Sequence, residues 1–530
     1  MNKKLLLVII LGVYGCVLIV GLTSQVYLGD EVYHYRFAKD TFKLDKRAIF
    51  DSVFESGNPP GYFYNTSPLW PYLLAKAWKV FGRVSFPIAQ IYHSLFFILL
   101  ILFTYLLARD LYDKKRALYS IIILVSIPMV VVFSIIFYND IPGVAISMVS
   151  LFLFFKKKIF LSGLMLGLAY LTKNNSLFLA FGMILLIILY YKDNFFNKLK
   201  NTIIFLAPII FIFLQDTNWK VKHIEMAMGG IDIPVVSSSI SNEIKIVDKN
   251  MPSGIKKGAD LPNQSIKNTQ LTDTKKVLSK GIKHRISNVI FRNLNFDKEK
   301  NKDIIKYIIQ YLGIIFLLLL FLYFVFIKSN FKQDIALLIL IFSYILVSFC
   351  FLDIKDLRYW FPIIPLFSII ISGIFVNYPK KYFTTIILVI CIVQFFASLI
   401  YININRRIPK GINEGFDYIK NNTTENSLIM YPGYILLEET SRRFVWSQLK
   451  CNDLLPISTI FWPKDSKDFF NMIKLNNINY FAIPKFRIYD DAKTHHYNGY
   501  PKSFVERLSK TSFIKLVFEN NQISIWKVVY

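Results

Sequence analysis

Charge is scarce in this chain, and acid is scarcer than base. Only 18% of the 530 residues are charged, against about 25% in a typical soluble domain. There are four cysteines, Cys16, Cys350, Cys391 and Cys451, and no CxxC pair. Three of them lie in apolar runs, so no disulfide framework is implied. No P-loop, dinucleotide-binding fingerprint or nucleic-acid motif is present, and no segment repeats with a period of about 20–50 residues.

Apolar surface is what the chain has in abundance. Hydrophobic residues make up 54%, with 49 Phe and 31 Tyr, and they cluster in long runs. That pattern implies a polytopic membrane protein and excludes a soluble enzyme, a disordered chain and a collagen-like fibre. The 62 basic and 35 acidic residues leave a net charge of +27. The basic residues mostly flank apolar runs, so anionic lipid headgroups are the implied partner and nucleic acid is not.

The first apolar run, 5–22, is too long for a signal peptide and has no A-x-A cleavage site, so it reads as a retained span. Later spans are expected at 88–108, 117–137, 141–155, 159–172, 174–191, 201–215, 304–327, 334–352, 359–377 and 382–401. Three of them, 141–155, 159–172 and 201–215, fall short of the ~20 residues of a full crossing. Lys173-Asn174-Asn175 interrupts the stretch 159–191, which reads as a tight helical hairpin. With about eleven alternating spans, the short-loop clusters Lys3/Lys4, Lys114-Lys115-Arg116, Lys156–Lys158, Lys192/Lys198/Lys200, Lys328/Lys332 and Lys380/Lys381 share one side. By the positive-inside bias that side is cytoplasmic. The N-terminus is then cytoplasmic and the C-terminus outside, in a multi-pass protein of the cell membrane.

The expected fold is therefore an all-α polytopic membrane domain, 1–401, with outer loops 23–87 and 216–303. A small extracytoplasmic α/β domain, 402–530, follows it. The first outer loop has helical stretches near 32–42 and 68–80. In the tail, `GINEGFDYIKNN`, `KDFFNMIKLNN` and `PKSFVERLSK` read as helices, and `SLIMY` and `NYFAIP` as strands. `FIKLVFE` and `ISIWKVV` read as a hairpin around Asn520-Asn521. No fold is assigned to 230–303.

Five elements can carry chemistry, and all fall on the outer side. Asp30-Glu31 follow the first span, where a carboxylate can take a proton from an acceptor while a lipid phosphate leaves from the headgroup layer. `NPPGYFYNTSPLWPYLLAKAW` combines a proline turn with an aromatic amphipathic segment. Asp140 lies in `YNDIPGVAI`, Lys173 ends `GLMLGLAYLTKNN`, and Arg358 and Tyr359 open the span `RYWFPIIP`. Taken singly, each has a plain structural reading: a helix cap, an interfacial anchor or a snorkelling lysine. Together they gather acids, a lysine and an arginine on one membrane face, as a site for an anion and an acceptor requires.

The order of these motifs resembles the GT-C glycosyltransferases, and within them the glycosyltransferase 39-like branch of protein O-mannosyltransferases and aminoarabinose lipid A transferases. The resemblance covers about residues 5–401, and the tail is similar to the extracytoplasmic tails of that group. It implies a polyprenyl-phosphate sugar donor, with Asp30 as catalytic base and Glu31 as its acidic neighbour. It also implies Asp140, Lys173 and Arg358 with Tyr359 around the donor phosphate. Related lipid A transferases carry a lysine just before the proline turn, where this chain has Asn58. The phosphate would then fall to Lys173, Arg358, His34 or Arg36.

The implied activity is transfer of one sugar to a lipid, glycan or protein acceptor outside the cytoplasm, with inversion. No cofactor is implied and no metal-ligand cluster is read; whether a divalent metal assists stays open. The rival readings are an envelope oligosaccharide ligase or polymerase, and a lipid or solute transporter. Ligases lean on Arg and His in a late loop, and transporters on inverted repeats and midplane charges.

Overall fold

The computed structural model describes residues 3–24, 30–45, 47, 67–191, 193–229, 331–351, 357–377, 381–431, 435–445, 473–474, 477–489 and 500–530. The span expected at 304–327, the proline turn at 58–61, the segment 230–303 and most of the helix expected in `KDFFNMIKLNN` lie outside them. Among the described residues, five helices are long and apolar enough to cross a membrane, or six if one bent pair counts as a single span. Four shorter apolar helices accompany them. The protein is a multi-pass membrane protein.

The first half runs α1 (Lys3–Thr23), α2 (Asp30–Leu44), α3 (Leu69–Val80), α4 (Phe86–Leu111), α5 (Lys114–Ser126) and α6 (Pro128–Ile135). It continues through α7 (Asp140–Phe155), α8 (Ile159–Thr172), a 3-10 turn (Asn174–Phe178), α9 (Leu179–Leu189) and α10 (Phe195–Gly229). Local chemistry sets several of these boundaries. Asp113 caps α5 by accepting from the amides of Lys115 and Arg116 at 2.7 and 2.8 Å. Ser85 caps α4, with Pro87 in its first turn.

The run read as one span over 117–137 is two helices bent by 69°. Pro128 is the cause. It has no amide proton, and it drives the preceding residue, Ile127, to extended backbone at ψ 120°. Gln394 compensates by donating from Nε2 to the Ser126 carbonyl at 2.7 Å. In an apolar medium a freed carbonyl needs such a partner.

The expected outer loop also starts later than 216, because α10 runs on to Gly229. Asp216 stays inside the helix by pairing with Arg47 from the first loop at 3.0 Å. The Tyr170 hydroxyl donates to its other oxygen at 3.4 Å. Small residues let helices close in. Ser150 and Ser162 exchange hydrogen bonds between α7 and α8, each hydroxyl reaching the other's carbonyl at 2.8–2.9 Å. A Cβ on Gly163 would stand 2.0 Å from the Phe205 carbonyl oxygen, so α8 meets α10 backbone to backbone.

The later helices are Phe331–Phe351, Ile364–Ile371 after a 3-10 turn at Leu357–Ile363, Gly373–Asn377 and Lys381–Asn405. At the end opposite α2, Arg116 donates to Asp334 at 2.7 Å and to the carbonyls of Ile369 and Ile370 at 3.2 Å. One buried guanidinium thus ties α5 to two of these later helices.

Beyond Asn405 lies a five-stranded sheet in the order β2-β1-β3-β7-β6. Its strands are β1 (Leu428–Met430), β2 (Arg443–Val445), β3 (Tyr480–Pro484), β6 (Ile514–Glu519) and β7 (Ile523–Val528); β4 (Ile488–Tyr489) pairs separately with β5 (Tyr500–Pro501). β1, β2 and β3 are parallel, and β3, β7 and β6 antiparallel. Helix Lys410–Asn422 covers one face through Ile412, Phe416 and Ile419. Helix Lys502–Lys510 covers the other through Phe504 and Leu508. Both faces of β3 are therefore covered, which is why `YFAIP` is buried at every position. Asn520 closes the β6–β7 hairpin by accepting from the amides of Gln522 and Ile523.

Candidate functional site

Helix α2 links the membrane bundle to the sheet domain. Tyr35 and Ala38 pack with Trp70, Leu74, Trp78 and Phe137 of the bundle. Val32 packs instead with Ile408, Ile412 and Phe416 of the sheet domain. Asp30 is the first residue of this helix; its side chain lies outside the described residues.

Glu31, the next residue, is fully buried and closes on Arg406, also fully buried. Arg406 Nη2 donates to Oε1 in a short contact and Nε donates to Oε2 at 3.3 Å. The Phe137 amide donates to Oε1 at 3.0 Å. The other guanidinium nitrogen reaches Ser24 Oγ at 2.8 Å and Gln90 Oε1 at 3.3 Å. The rings of Phe137 and Phe86 lie 5.2 and 5.8 Å from the guanidinium carbon. Both carboxylate oxygens of Glu31 are thus engaged within the protein. Arg36 is likewise turned to a neighbour on its own helix, Asp40, at 3.9 Å.

The other expected residues converge. Lys173 Nζ stands 3.1 Å from Asp140 Oδ1 and 3.2 Å from Oδ2. The Asp140 side chain is 2% exposed and that of Lys173 is 24% exposed. The ammonium therefore faces outward over a buried carboxylate. A Cβ on Gly143 would fall 2.6 Å from Lys173 Cβ, so the bare glycine makes room for the lysine. Asp140 does not cap α7; it opens the helix and spends its charge on Lys173.

Tyr138, two residues before Asp140 in the chain, meets two of the remaining residues. The Arg358 guanidinium lies 5.7 Å from its ring centroid, and the His34 ring meets it edge-on at 6.5 Å. His34 also meets Trp70 edge-on at 6.4 Å. The Tyr359 carbonyl accepts from the Tyr344 hydroxyl in a short contact and from Asn175 Nδ2 at 3.3 Å. Asn174 accepts from the Ser67 hydroxyl at 2.7 Å, and the Ser67 carbonyl accepts from Asn139 Nδ2 at 3.5 Å.

His34, Asp140, Lys173, Arg358 and Tyr359 thus meet at one end of the bundle, beside the start of α2. Glu31 is engaged by Arg406, and Arg36 stands 3.9 Å from Asp40 on its own helix. Sequence reasoning passed over Tyr138, Asn139, Asn175, Tyr344 and Arg406. Asn139 lies beside Asp140 in the quoted `YNDIPGVAI`, and the signal for Asn175 was the polar break `KNNS` between two apolar runs. Among the described residues, no three His, Cys, Asp or Glu side chains group as metal ligands would. Chemically, the arrangement offers two cations at the mouth of a buried polar cluster, suited to holding an anionic group.

Residues 65–219 match the family described as dolichyl-phosphate-mannose-protein mannosyltransferase. The chain is similar to ArnT from Cupriavidus metallidurans bound to undecaprenyl phosphate, with a TM-score of 0.61 at 10% identity, over 99% of this chain and 98% of that one. Its likeness to the apo state of ArnT has a TM-score of 0.60 at 10% identity, over the same shares of the two chains, 99% and 98%. The Archaeoglobus fulgidus oligosaccharyltransferase, tethered with an acceptor peptide containing the NVT sequon, matches with a TM-score of 0.54 at 14% identity, over 90% of this chain and 69% of that one. No curated protein sequence matches the chain significantly. At these identities the likeness shows the fold alone, one shared with these two membrane proteins.

Proposed function

We propose that the protein is an integral-membrane glycosyltransferase. It moves one sugar from a polyprenyl-phosphate donor to a lipid, glycan or protein acceptor on the outer side of the cell membrane. The observation that carries this reading is the convergence of Lys173 on Asp140 and of Arg358 and His34 on Tyr138. The family match over 65–219 and the fold shared with a protein bound to undecaprenyl phosphate support it. In this reading about eleven spans alternate, the N-terminus is cytoplasmic, and the α/β domain and the α2 end face outward.

The mechanism is an in-line displacement. Asp30 takes the proton of the acceptor hydroxyl or amine. The acceptor atom bonds to the anomeric carbon from the face opposite the phosphate, and the bond from that carbon to the phosphate oxygen breaks. The configuration inverts, and polyprenyl phosphate leaves with the electron pair. Lys173 and Arg358 stabilise the charge that develops on the phosphate, with His34 lining the same mouth. Asp140 holds the lysine in place. Glu31 is a positioning residue in this scheme, because Arg406 and the Phe137 amide engage its oxygens.

The test compares lipid-linked sugars and envelope glycans in cells with and without the protein. The reading expects one polyprenyl-phosphate sugar to accumulate and one glycan modification to disappear in its absence. Unchanged lipid-linked sugars together with unchanged glycans would overturn it.

A further inference from the structure

The chain that leaves α2 is caught almost at once. Just past the last turn of α2, Asp45 takes the left-handed conformation at φ 53° and stands 3.4 and 3.3 Å from Lys76 and Lys79 of α3. Two residues on, Arg47 Nη1 donates to Asp216 Oδ1 of α10 at 3.0 Å. The Arg47 guanidinium carbon also lies 3.5 Å from the centroid of the Trp219 ring, three residues further along α10. The side chains of the ion pair are 14% and 3% exposed.

Asp216 reaches a third element. Its Oδ2 accepts from the Tyr170 hydroxyl of α8 at 3.4 Å, and the Tyr170 ring packs on Phe213 of α10 at 5.6 Å. Tyr170 stands three residues before Lys173, in the last turn of α8. The two helices are closely fitted below this point, since a Cβ on Gly167 would fall 2.6 Å from Ile212 Cδ1. The contacts therefore run from the end of α2 through α10 to the turn of α8 that precedes Lys173. At the other end of α2, Arg406 closes on Glu31.

A buried ion pair contributes little net stability compared with apolar packing, because both charges leave water; its best-attested use is to fix one register. Arg47 suits that use. Its planar guanidinium must lie on the face of Trp219 and point an edge at Asp216 at the same time, which restricts it to one placement. We infer that Arg47 is a positioning residue: held between Asp216 and Trp219, it fixes the C-terminal end of α2 against α10 and α8 and so sets Asp30 relative to Lys173. The inference rests on the glycosyltransferase reading and adds a residue that acts without touching substrate.

The test uses the full-length protein in proteoliposomes and two readouts. The first is the distance between spin labels at Lys43→Cys and Asn218→Cys, both exposed positions, in a background freed of the four native cysteines. The second is turnover of the polyprenyl-phosphate sugar that accumulates in cells lacking the protein. Arg47→Met with Asp216→Leu removes both charges, so no buried charge is left unpaired and the folded yield should stay near wild type. The single narrow distance of wild type should broaden in this double variant. Its kcat should fall by about ten- to a hundredfold, as a shift of about 1 Å in reacting groups would cause, with KM for the donor unchanged. Arg47→Lys keeps a charge opposite Asp216 but loses the planar stack, and should lie between wild type and the double variant in both readouts. An unchanged distance in both variants would overturn the inference, and so would a broadened distance with wild-type kcat, the result expected of a merely structural contact. A wild type that turns over no polyprenyl-phosphate sugar would instead overturn the glycosyltransferase reading, and the positioning role with it.

Discussion

Arg406 closes on Glu31 across 375 residues of sequence, with neither side chain exposed to solvent. The arginine follows directly on the helix Lys381–Asn405, just before the sheet domain begins. The glutamate sits one residue after Asp30. The register of α2 is therefore set from both sides, by the membrane bundle and by the sheet domain. This ties the position of Asp30 to the docking of a domain that contributes no acid to the proposed chemistry.

Breaking that pair from one side should be severe. Arg406→Ala leaves a buried carboxylate uncompensated, at a cost of about 3–5 kcal/mol. A thermal unfolding midpoint in detergent, with the yield of folded protein, reads this out. Replacing both partners, as Glu31→Leu with Arg406→Met, should recover most of the stability. Transfer should stay impaired in the double variant, because the Phe137 amide loses its carboxylate partner too. Full activity in that double variant would show that the pair does not position α2.

The Lys173 geometry depends on one glycine. Gly143→Ala would put a methyl 2.6 Å from Lys173 Cβ and push the lysine off Asp140. Such overpacking costs about 1–3 kcal/mol. Transfer should fall at least tenfold while the protein still inserts. Gly12→Ala, with nothing within 4 Å of the new methyl, is the control and should behave as wild type.

Much of this site was legible in the sequence because charge is rare in apolar runs. Asp140, Lys173 and Arg358 each stand at the end of such a run, and the fold brings them to one end of the bundle. Arg406 was not legible. It neighbours Arg407 just after the last apolar run, where a basic pair reads as a headgroup flank. Only the long-range contact with Glu31 distinguishes it. The burial of Glu31 against Arg406 was likewise not legible, because its partner lies 375 residues away. The end of α10 was missed for a related reason: Asp216 looks like a helix terminus until Arg47 supplies its partner. The bend at Pro128 was hidden by the unbroken apolar character around it.

Gln394 tests the account of that bend. Gln394→Leu keeps the volume and leaves the Ser126 carbonyl without its donor. Interhelical hydrogen bonds in membranes contribute about 0.6–2 kcal/mol. The thermal midpoint should drop by a corresponding amount, with transfer per folded molecule close to wild type. A midpoint unchanged from wild type would mean that the bend does not need this bond.

The most direct measurement is turnover by Asp30→Asn in proteoliposomes, with whichever polyprenyl-phosphate sugar the wild type consumes. The substitution keeps the side-chain volume and its capping capacity, since Asn and Asp cap helices comparably. It removes only the basic carboxylate. Turnover should fall by roughly 10²–10⁴-fold, while donor binding and membrane abundance stay at wild-type levels. Glu31→Gln should show the opposite balance, a loss of stability larger than its loss of turnover per folded molecule. Near-normal turnover by Asp30→Asn at normal abundance would contradict the assignment of the base.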